Sequence, residues 1–286
     1  MNLSENPYLQ TCPVGCNAAL QATGYVLPEG ELLRCAECGQ LISQCTEARY
    51  WESMQEFDAP QGTLPNQKSA ARRFRRSKKF LDCIAALLQK PPSQVHLLDV
   101  GCSSGAFLGS AVRLGYVAEG VEPAPKAAAT AQAAGLQVKQ GLLHEVGYAD
   151  GQFDAVTLFE VIEHLKNPRE LLDECRRILR PGGILLIGTG NAASWSMAAM
   201  GASWEYLSIA AHGGHVSFFT PSSLGKLAEQ SGFSVADVRT RGVRFCDKAD
   251  CAKPVYTMAK IAAELANPLA MLLGKGSDMA VYLRRS

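Results

Sequence analysis

The sequence predicts an α/β protein with a doubly wound, mostly parallel seven-stranded sheet, preceded by a small cysteine-rich module. Beyond Pro92, short apolar runs alternate with helical stretches of ten or more residues, which is typical of a parallel sheet covered by helices. Five of the ten cysteines fall within the first 45 residues, so a compositionally distinct unit comes first. At 286 residues the chain can form one medium-sized domain in addition to this unit.

Composition and charge argue against several classes of protein. The chain carries 28 Lys and Arg against 27 Asp and Glu, a net charge of +1, and 47% of its residues are hydrophobic. These values argue against a disordered chain, an acidic tail and a strongly basic nucleic-acid coat.

The first residues, MNLSENPYLQTCPVGC, lack the charged start and apolar core of a secretory signal, so we expect a cytoplasmic location. No run of 18 apolar residues is present, so we expect no membrane span.

The cysteine spacing of residues 1–46 predicts a zinc-ribbon-like module. Cys12-x3-Cys16 and Cys35-x2-Cys38 are separated by 18 residues, which places two short-spaced pairs on either side of a hairpin. Four thiolates close a tetrahedral shell around Zn²⁺ and leave no open position, so the expected role of the metal is structural. The three-residue spacing of the first pair leaves open that Cys45 replaces one of these four ligands.

Residues 47–94 are predicted to form a linker followed by one amphipathic helix. The polar stretch 55–69 contains Pro60, Gly62 and Pro65, which indicates an extended loop. From Ala70 onward, apolar residues recur at helical spacing while the run RRFRRSKK covers the other face. The Pro-Pro pair at 91–92 is expected to end this helix.

Residues 95–286 alternate between strands and helices. Five strands are predicted in the first half, at residues 95–100, 116–122, 136–141, 153–161 and 183–189. A lid-like insertion at about 191–216 follows the fifth strand. The chain then continues with a helix at 221–231, a strand at 233–241, an apolar helix at 255–273 and a final strand, MAVYLRR. This order predicts ligand binding at the carboxyl edge of the sheet.

Two strand ends in this domain carry acidic residues beside a glycine loop. Asp99 is followed by Gly101 and Gly105, and glycines allow a ligand to approach the backbone closely. Glu122 ends the second strand, where a carboxylate can accept hydrogen bonds from both hydroxyls of a ribose.

These motifs resemble those of class I S-adenosylmethionine-dependent methyltransferases, whose fold is Rossmann-like. The similar segments are LLDVGCSSG, VEPAP, FDAVTLFEVIEHLKNP and LLDECRRILRPGGILLIGT. The segment GASWEYLSIAAHGGHVSFFTPSSLGKLAEQSGF is similar to one found in the bacterial branch of ubiquinone-type and glycan-cluster methyltransferases. The resemblance covers about residues 70–245. One departure is the third strand end, Gln140-Gly141-Leu142-Leu143, where many members of the family have an acid.

The resemblance implies which residues bind S-adenosylmethionine. Asp99, Gly101, Ser103 and Gly105 would surround its methionine portion, and Glu122 would hold the ribose. The adenine and the methyl-bearing side would be lined by Pro123, Leu142, Leu143, Phe159 and Glu160.

The acceptor site is expected to involve three histidines and a tryptophan. His164 and His215 are the candidate catalytic residues, because a general base assists methylation of a hydroxyl. His215 is also predicted to contact substrate, together with His212 and with Trp204 in the lid. His96 and His144 are predicted to be structural or solvated.

The expected function is methyl transfer to a small-molecule, glycan or lipid-like acceptor, most often on oxygen within this family. One alternative is an RNA methyltransferase, in which the zinc module and the basic helix at 72–79 hold phosphates. The net charge of +1 favours a small acceptor over nucleic acid. A second alternative is a non-catalytic, partner-binding protein with the same fold. The sequence leaves the acceptor, the methylated atom and the oligomeric state open.

Overall fold

The computed structural model describes residues 6–57 and 67–286. These residues form two β-sheets together with helices. The larger sheet confirms the predicted fold class, since its seven strands follow the order β10-β11-β8-β7-β4-β5-β6. Its strands are β4 (His96–Val100), β5 (Val117–Glu122), β6 (Val138–Gln140), β7 (Phe153–Phe159), β8 (Leu179–Gly190), β10 (Phe233–Arg241) and β11 (Asp278–Arg285). The strands β4 to β8 pair in parallel, while β11 is antiparallel to both β8 and β10.

Helices cover both faces of this sheet and create two buried cores. The α-helices of the described residues, of which α1, α7 and α8 pack near the N-terminal module, are α1 (Glu47–Phe57), α2 (Gln67–Leu88), α3 (Ala106–Arg113), α4 (Pro125–Ala133), α5 (Leu143–Val146), α6 (Pro168–Ile178), α7 (Trp195–Met200), α8 (Ile209–His212), α9 (Pro221–Gln230) and α10 (Lys253–Leu272). Leu81 and Ile84 of α2 pack on one face of the sheet. Leu172 and Ile178 of α6 pack on the other face, together with Leu224 of α9. The strands buried on both faces are therefore nearly all apolar, as the sequence indicated.

The smaller sheet joins the N-terminal module to the rest of the chain. Its strands are β1 (Leu20–Leu27), β2 (Gly30–Cys35), β3 (Leu41–Ile42) and β9 (Ser217–Phe218), in the order β1-β2-β3-β9. The strand β9 lies directly after the predicted lid, and its residues pair with those of β3 in antiparallel register. The module is thus hydrogen-bonded to the segment that carries His215.

The region between the module and the large sheet differs from its prediction. The helix α1 occupies residues that were expected to belong to the linker, and α2 begins three residues before the predicted start at Ala70. The middle of the predicted linker, residues 58–66, lies outside the described residues. The helix α10 continues through Pro268, which the sequence pattern had also allowed.

Two further features complete the description of the fold. Cys246 and Cys251, in the segment between β10 and α10, form a disulfide. Among the described residues, no helix has the length and apolar character needed to cross a bilayer.

Candidate functional site

The glycine loop after β4 places a buried carboxylate at the carboxyl edge of the sheet. The carboxyl group of Asp99 is 3% exposed and accepts a hydrogen bond of 2.7 Å from the hydroxyl of Thr157 on the neighbouring strand β7. Burial raises the pKa of Asp99 to about 7, and the nearby charge of Glu122 adds to this rise while the bond from Thr157 opposes it. A cationic ligand bound here would therefore stabilise the ionised form of Asp99, which burial disfavours.

Glu122 holds the end of β5 against the glycine loop. Its carboxylate accepts hydrogen bonds from the backbone N–H of Ser103 at 2.7 Å and of Ala124 at 2.9 Å. These two bonds fix the carboxylate between β4 and β5, which are adjacent parallel strands. The structure therefore brings Asp99, Ser103 and Glu122 together at one edge, as the predicted cofactor site requires.

The backbone is unusual at two predicted cofactor residues. Ser103 and Glu160 have φ angles of +49° and +54°, and among the described residues only Gln89 shares this left-handed conformation without being glycine. Such conformations in residues with a side chain concentrate at functional sites, because surrounding contacts must compensate for their energetic cost. The two residues follow β4 and β7, which are adjacent in the sheet.

Close approach by aromatic rings explains two glycines in β8. A Cβ atom at Gly188 would lie 2.3 Å from the ring of Phe159, and one at Gly190 would lie 2.4 Å from the ring of Tyr206. Phe159 also packs against Phe80 and Phe107, with ring centroids 5.2 and 4.6 Å away. These glycines allow both rings to lie directly on the last residues of the strand.

The predicted adenine-side residues occupy different environments. Leu142 is 47% exposed and Pro123 is also exposed at the end of β5, so both offer surface to a ligand. Leu143 is buried in the core of the sheet. The structure therefore places Leu142 and Pro123 on the accessible side, and Leu143 beneath them.

A buried polar network lies beyond the carboxyl ends of β7 and β8. The hydroxyl of Tyr206 donates a short hydrogen bond to Glu163, and it lies 2.8 Å from the hydroxyl of Thr189. The Nε2 atom of His215 is 3.7 Å from the same carboxylate, while its Nδ1 atom is 3.1 Å from the backbone carbonyl oxygen of Tyr206. We call Glu163, Thr189, Tyr206 and His215 the polar network. Of its four members, only His215 is a predicted site residue.

The other two predicted histidines adjoin this network. The ring of His164 meets that of His215 edge-on at 4.7 Å, and the ring of His212 stacks on His215 at 4.8 Å. His164 is partly exposed, while His215 is 2% exposed. Ligand atoms of Glu163, His164 and His215 lie within 4.8 Å of one another, so this group could also hold a metal ion.

Burial sets the protonation states in this cluster. Burial lowers the pKa of His215 to about 4, and it also lowers the pKa of His164 and of His212. Burial raises the pKa of Glu160 well above its usual value, and repulsion from Glu163 adds to the effect. At neutral pH the histidines are therefore uncharged and able to accept a proton.

Trp204 packs beside the polar network, with its ring centroid 5.2 Å from that of Tyr206. Its side chain is 5% exposed and packs in a cluster with Leu27 and Leu32 of the module and Phe218 of β9. Its indole N–H donates a hydrogen bond of 3.1 Å to the hydroxyl of Ser277. The structure thus places this predicted substrate residue in the contact between the lid and the module.

The four predicted zinc ligands converge in the module. The ligand atoms of Cys12, Cys16, Cys35 and Cys38 lie within 4.8 Å of one another, and the sulfur atoms of Cys12 and Cys38 are 3.5 Å apart. Four sulfur atoms placed tetrahedrally at about 2.3 Å from zinc would be roughly 3.8 Å apart, so this cluster fits the ion. Cys45 is not part of the cluster, because its thiol donates to the backbone carbonyl of Thr46.

Two short turns bring these thiols together. The backbone N–H of Gly15 bonds to the carbonyl of Cys12 at 2.9 Å, and that of Gly39 bonds to the carbonyl of Cys35 at 3.0 Å. Both glycines have positive φ angles, of 84° and 73°. The first bond spans three residues and the second spans four, so the two pairs are closed by different turns that each place a glycine at positive φ.

Comparison with known proteins identifies similar sequences and folds. A family model described as a methyltransferase domain matches residues 71–238. A ubiquinone biosynthesis O-methyltransferase of Dinoroseobacter shibae is 34% identical over 157 residues, which are 51% of this chain and 63% of that protein. A protein of the same name from Xanthomonas oryzae is 31% identical over 170 residues, which are 55% of this chain and 70% of that protein.

Solved structures show the same fold at low sequence identity. A SAM-dependent methyltransferase from Archaeoglobus fulgidus is 19% identical with a TM-score of 0.54, covering 76% of this chain and 95% of that one. A protein described as a putative sarcosine dimethylglycine methyltransferase from Galdieria sulphuraria is 18% identical with a TM-score of 0.52, covering 77% and 88%.

Proposed function

Because this chain belongs to the S-adenosylmethionine-dependent methyltransferases, we propose that it transfers a methyl group to an oxygen atom of a small-molecule acceptor. The observation that carries this proposal is the placement of two features at one edge of the sheet. Asp99 and Glu122 end adjacent strands, and the polar network lies beyond the neighbouring strands β7 and β8. The names of the ubiquinone O-methyltransferases support oxygen as the methylated atom. Glycan and lipid-like acceptors remain within the proposed class.

The cofactor would be held by the residues that the glycine loop positions. S-adenosylmethionine, when bound, supplies the methyl group. Asp99 would pair with the positive charge of the cofactor, because a counter-ion stabilises the ionised form of a carboxylate whose pKa burial has raised. Glu122, fixed by the amides of Ser103 and Ala124, would accept the ribose hydroxyls. Leu142 and Pro123 offer the exposed apolar surface proposed to cover the adenine.

Two histidines are proposed to handle the proton of the acceptor. His164 is partly exposed and uncharged at neutral pH, so it can remove a proton from a hydroxyl as that oxygen attacks. His215 is buried against His164 and Glu163, so it would orient the His164 ring and disperse the charge that develops on it. His212, stacked on His215, would border the acceptor from the lid side.

The module is proposed to bind one structural Zn²⁺ through Cys12, Cys16, Cys35 and Cys38. The convergence of their thiols supports this assignment. Eight of the ten cysteines are free thiols and only Cys246 and Cys251 are paired, so we retain a cytoplasmic location in the proposal.

The proposal is tested by measuring cofactor binding and methyl transfer separately. S-adenosylhomocysteine binding by calorimetry should give a 1:1 complex, and radiolabelled S-adenosylmethionine should label a phenol or quinol from an acceptor panel.

His164→Asn should lower kcat by about 10²- to 10⁴-fold and leave S-adenosylhomocysteine affinity unchanged. His144→Asn, in an exposed position, is the matched control and should leave kcat unchanged. Failure to bind S-adenosylhomocysteine would exclude the proposed function.

A further inference from the structure

A cavity of about 590 Å³ opens beside the polar network, between α2 and the strands β8, β10 and β11. Its floor includes Phe159, Glu160 and Thr189, which end β7 and β8. Thr189 lies 2.8 Å from the hydroxyl of Tyr206 and so links the cavity to the network. A cavity of this size suits a small molecule.

The wall of this cavity is strongly basic. Six of its lining residues are cationic: Arg72, Arg75, Arg76, Lys79, Arg239 and Arg241. Among the described residues, the only acidic ones that line it are Glu160 and Asp278. The six cations therefore outnumber the two carboxylates in the wall.

The ion pairs in the wall leave several cations without an acidic partner. Asp278 pairs with Arg241 at 2.7 Å and lies 3.5 Å from Arg76. In contrast, Arg72 and Lys79 form no ion pair with any residue that the structure describes, and both are exposed on one side of α2. Burial lowers the pKa of Arg76, and repulsion from the neighbouring positive charge of Arg241 adds to the effect.

From this geometry we propose that the methyl acceptor carries a phosphate or carboxylate group, which Arg72, Arg76 and Lys79 bind in the cavity. The inference rests on the proposed function and specifies its substrate class. Guanidinium groups bind such anions through paired, charge-assisted hydrogen bonds, and a lysine adds a point charge. Binding at the basic wall would direct the rest of the acceptor toward Glu160 and Thr189 on the floor, next to the polar network.

Pyrophosphate serves as the binding probe for this proposal. Calorimetry with the 286-residue chain should show saturable binding, and the double variant Arg72→Gln/Lys79→Gln should weaken it at least tenfold. Lys78→Gln is the matched control, because Lys78 lies on the same helix but pairs with Asp82 at 2.7 Å and does not line the cavity. Both altered positions are exposed, so the fold should be retained, and unchanged S-adenosylhomocysteine affinity would verify this.

Matched phenols that differ only in a carboxylate or phosphate test the same point during turnover. The wild-type protein should favour the anionic phenol through a lower KM, and the double variant should lose that preference while its kcat for the neutral phenol is retained. Equal use of both phenols, or unchanged pyrophosphate binding in the double variant, would overturn the inference. Displacement of pyrophosphate by a short RNA with a steep salt dependence would also overturn it, in favour of nucleic acid. Intact S-adenosylhomocysteine binding in these cases would show that the proposed function itself stands.

Discussion

At the scale of single residues, the site combines buried charges with close packing of aromatic rings. Asp99 is held in its buried position by one hydrogen bond from Thr157, and Tyr206 reaches Glu163 because Gly190 leaves space for its ring. The motifs indicated where Asp99 and Glu122 lie in the fold, since both stand at the carboxyl ends of recognisable strands. Tyr206 and Thr189 carry no such signal, because an aromatic residue in a lid and a threonine in a strand are common structural choices. Only the folded chain shows that their hydroxyls meet.

The raised pKa of Asp99 predicts that cofactor affinity depends on pH. Its folded-state pKa is about 7, so the carboxyl group is mostly protonated at pH 6 and mostly ionised at pH 8. If a cationic ligand pairs only with the ionised form, affinity for S-adenosylmethionine should rise by roughly tenfold over this range. Calorimetry at several pH values measures the effect, and Asp99→Asn should bind more weakly with a flat profile. A pH-dependent profile that persists in this variant would assign the titration to another group.

Gly190→Ala tests the packing of Tyr206. Its Cβ atom would lie 2.4 Å from the Tyr206 ring, which must then move away from Glu163. We expect a loss of about 1–3 kcal/mol in the free energy of unfolding, measured with urea, because the added methyl group overpacks the site. Gly109→Ala on α3 is the control, since its nearest new contact is an ordinary 3.9 Å and alanine favours a helix. Equal stability of the Gly190 variant and the wild type would show that the ring has room to move.

At the scale of secondary-structure elements, the helices and strands that could be predicted are those with regularly spaced apolar residues. The strand at 233–241 has the predicted bounds, and the alternation of strands and helices from residue 95 onward is confirmed. The helix α1 escaped prediction because its buried face is small. Within it, Tyr50 and Ser53 are buried while most other described positions remain partly or fully exposed. A helix with so narrow an apolar face lacks the periodic signal that identified α2.

The proposed zinc site gives a prediction for the N-terminal module. Cys35→Ser should reduce bound zinc from one ion per chain to none and unfold the module, since a small unit of this kind depends on its metal. Cys45→Ser should retain the metal, because Cys45 lies outside the cluster and its thiol bonds to Thr46. Metal content measured by elemental analysis distinguishes the two variants. Loss of zinc in the Cys45 variant would contradict the assigned ligand set.

At the scale of the whole molecule, one path of backbone hydrogen bonds joins the N-terminal module to the polar network. The backbone N–H of Ser43 bonds to the carbonyl of Val216 at 2.9 Å, and the N–H of Val216 bonds to the carbonyl of Glu163 at 3.1 Å. Sequence patterns could not predict this connection, because two-residue strands such as β3 and β9 have no alternation to detect. Their partners are also distant in the chain.

This path predicts that removal of the proposed zinc ion loosens the proposed acceptor side of the site first. After chelation, the amides of residues 216–218 should exchange with deuterium faster, since β9 loses a supported partner strand. The amides of β4 should keep their protection because they pair within the large sheet. Hydrogen exchange followed by mass spectrometry makes the comparison. Uniform loss of protection in both strands would instead indicate a single cooperative unit.

The pairing of β3 with β9 also sets an order of events during synthesis. Residues 41–42 leave the ribosome early, but the strand that completes their sheet lies at 217–218 and emerges only after the large sheet has gained most of its parallel strands. Contacts so far apart in sequence form late, so the edge of the nascent module stays open in the meantime. A zinc ion held by the four thiols would keep the module folded until β9 has been synthesised. Supply of zinc during translation would then govern the yield of correctly assembled protein.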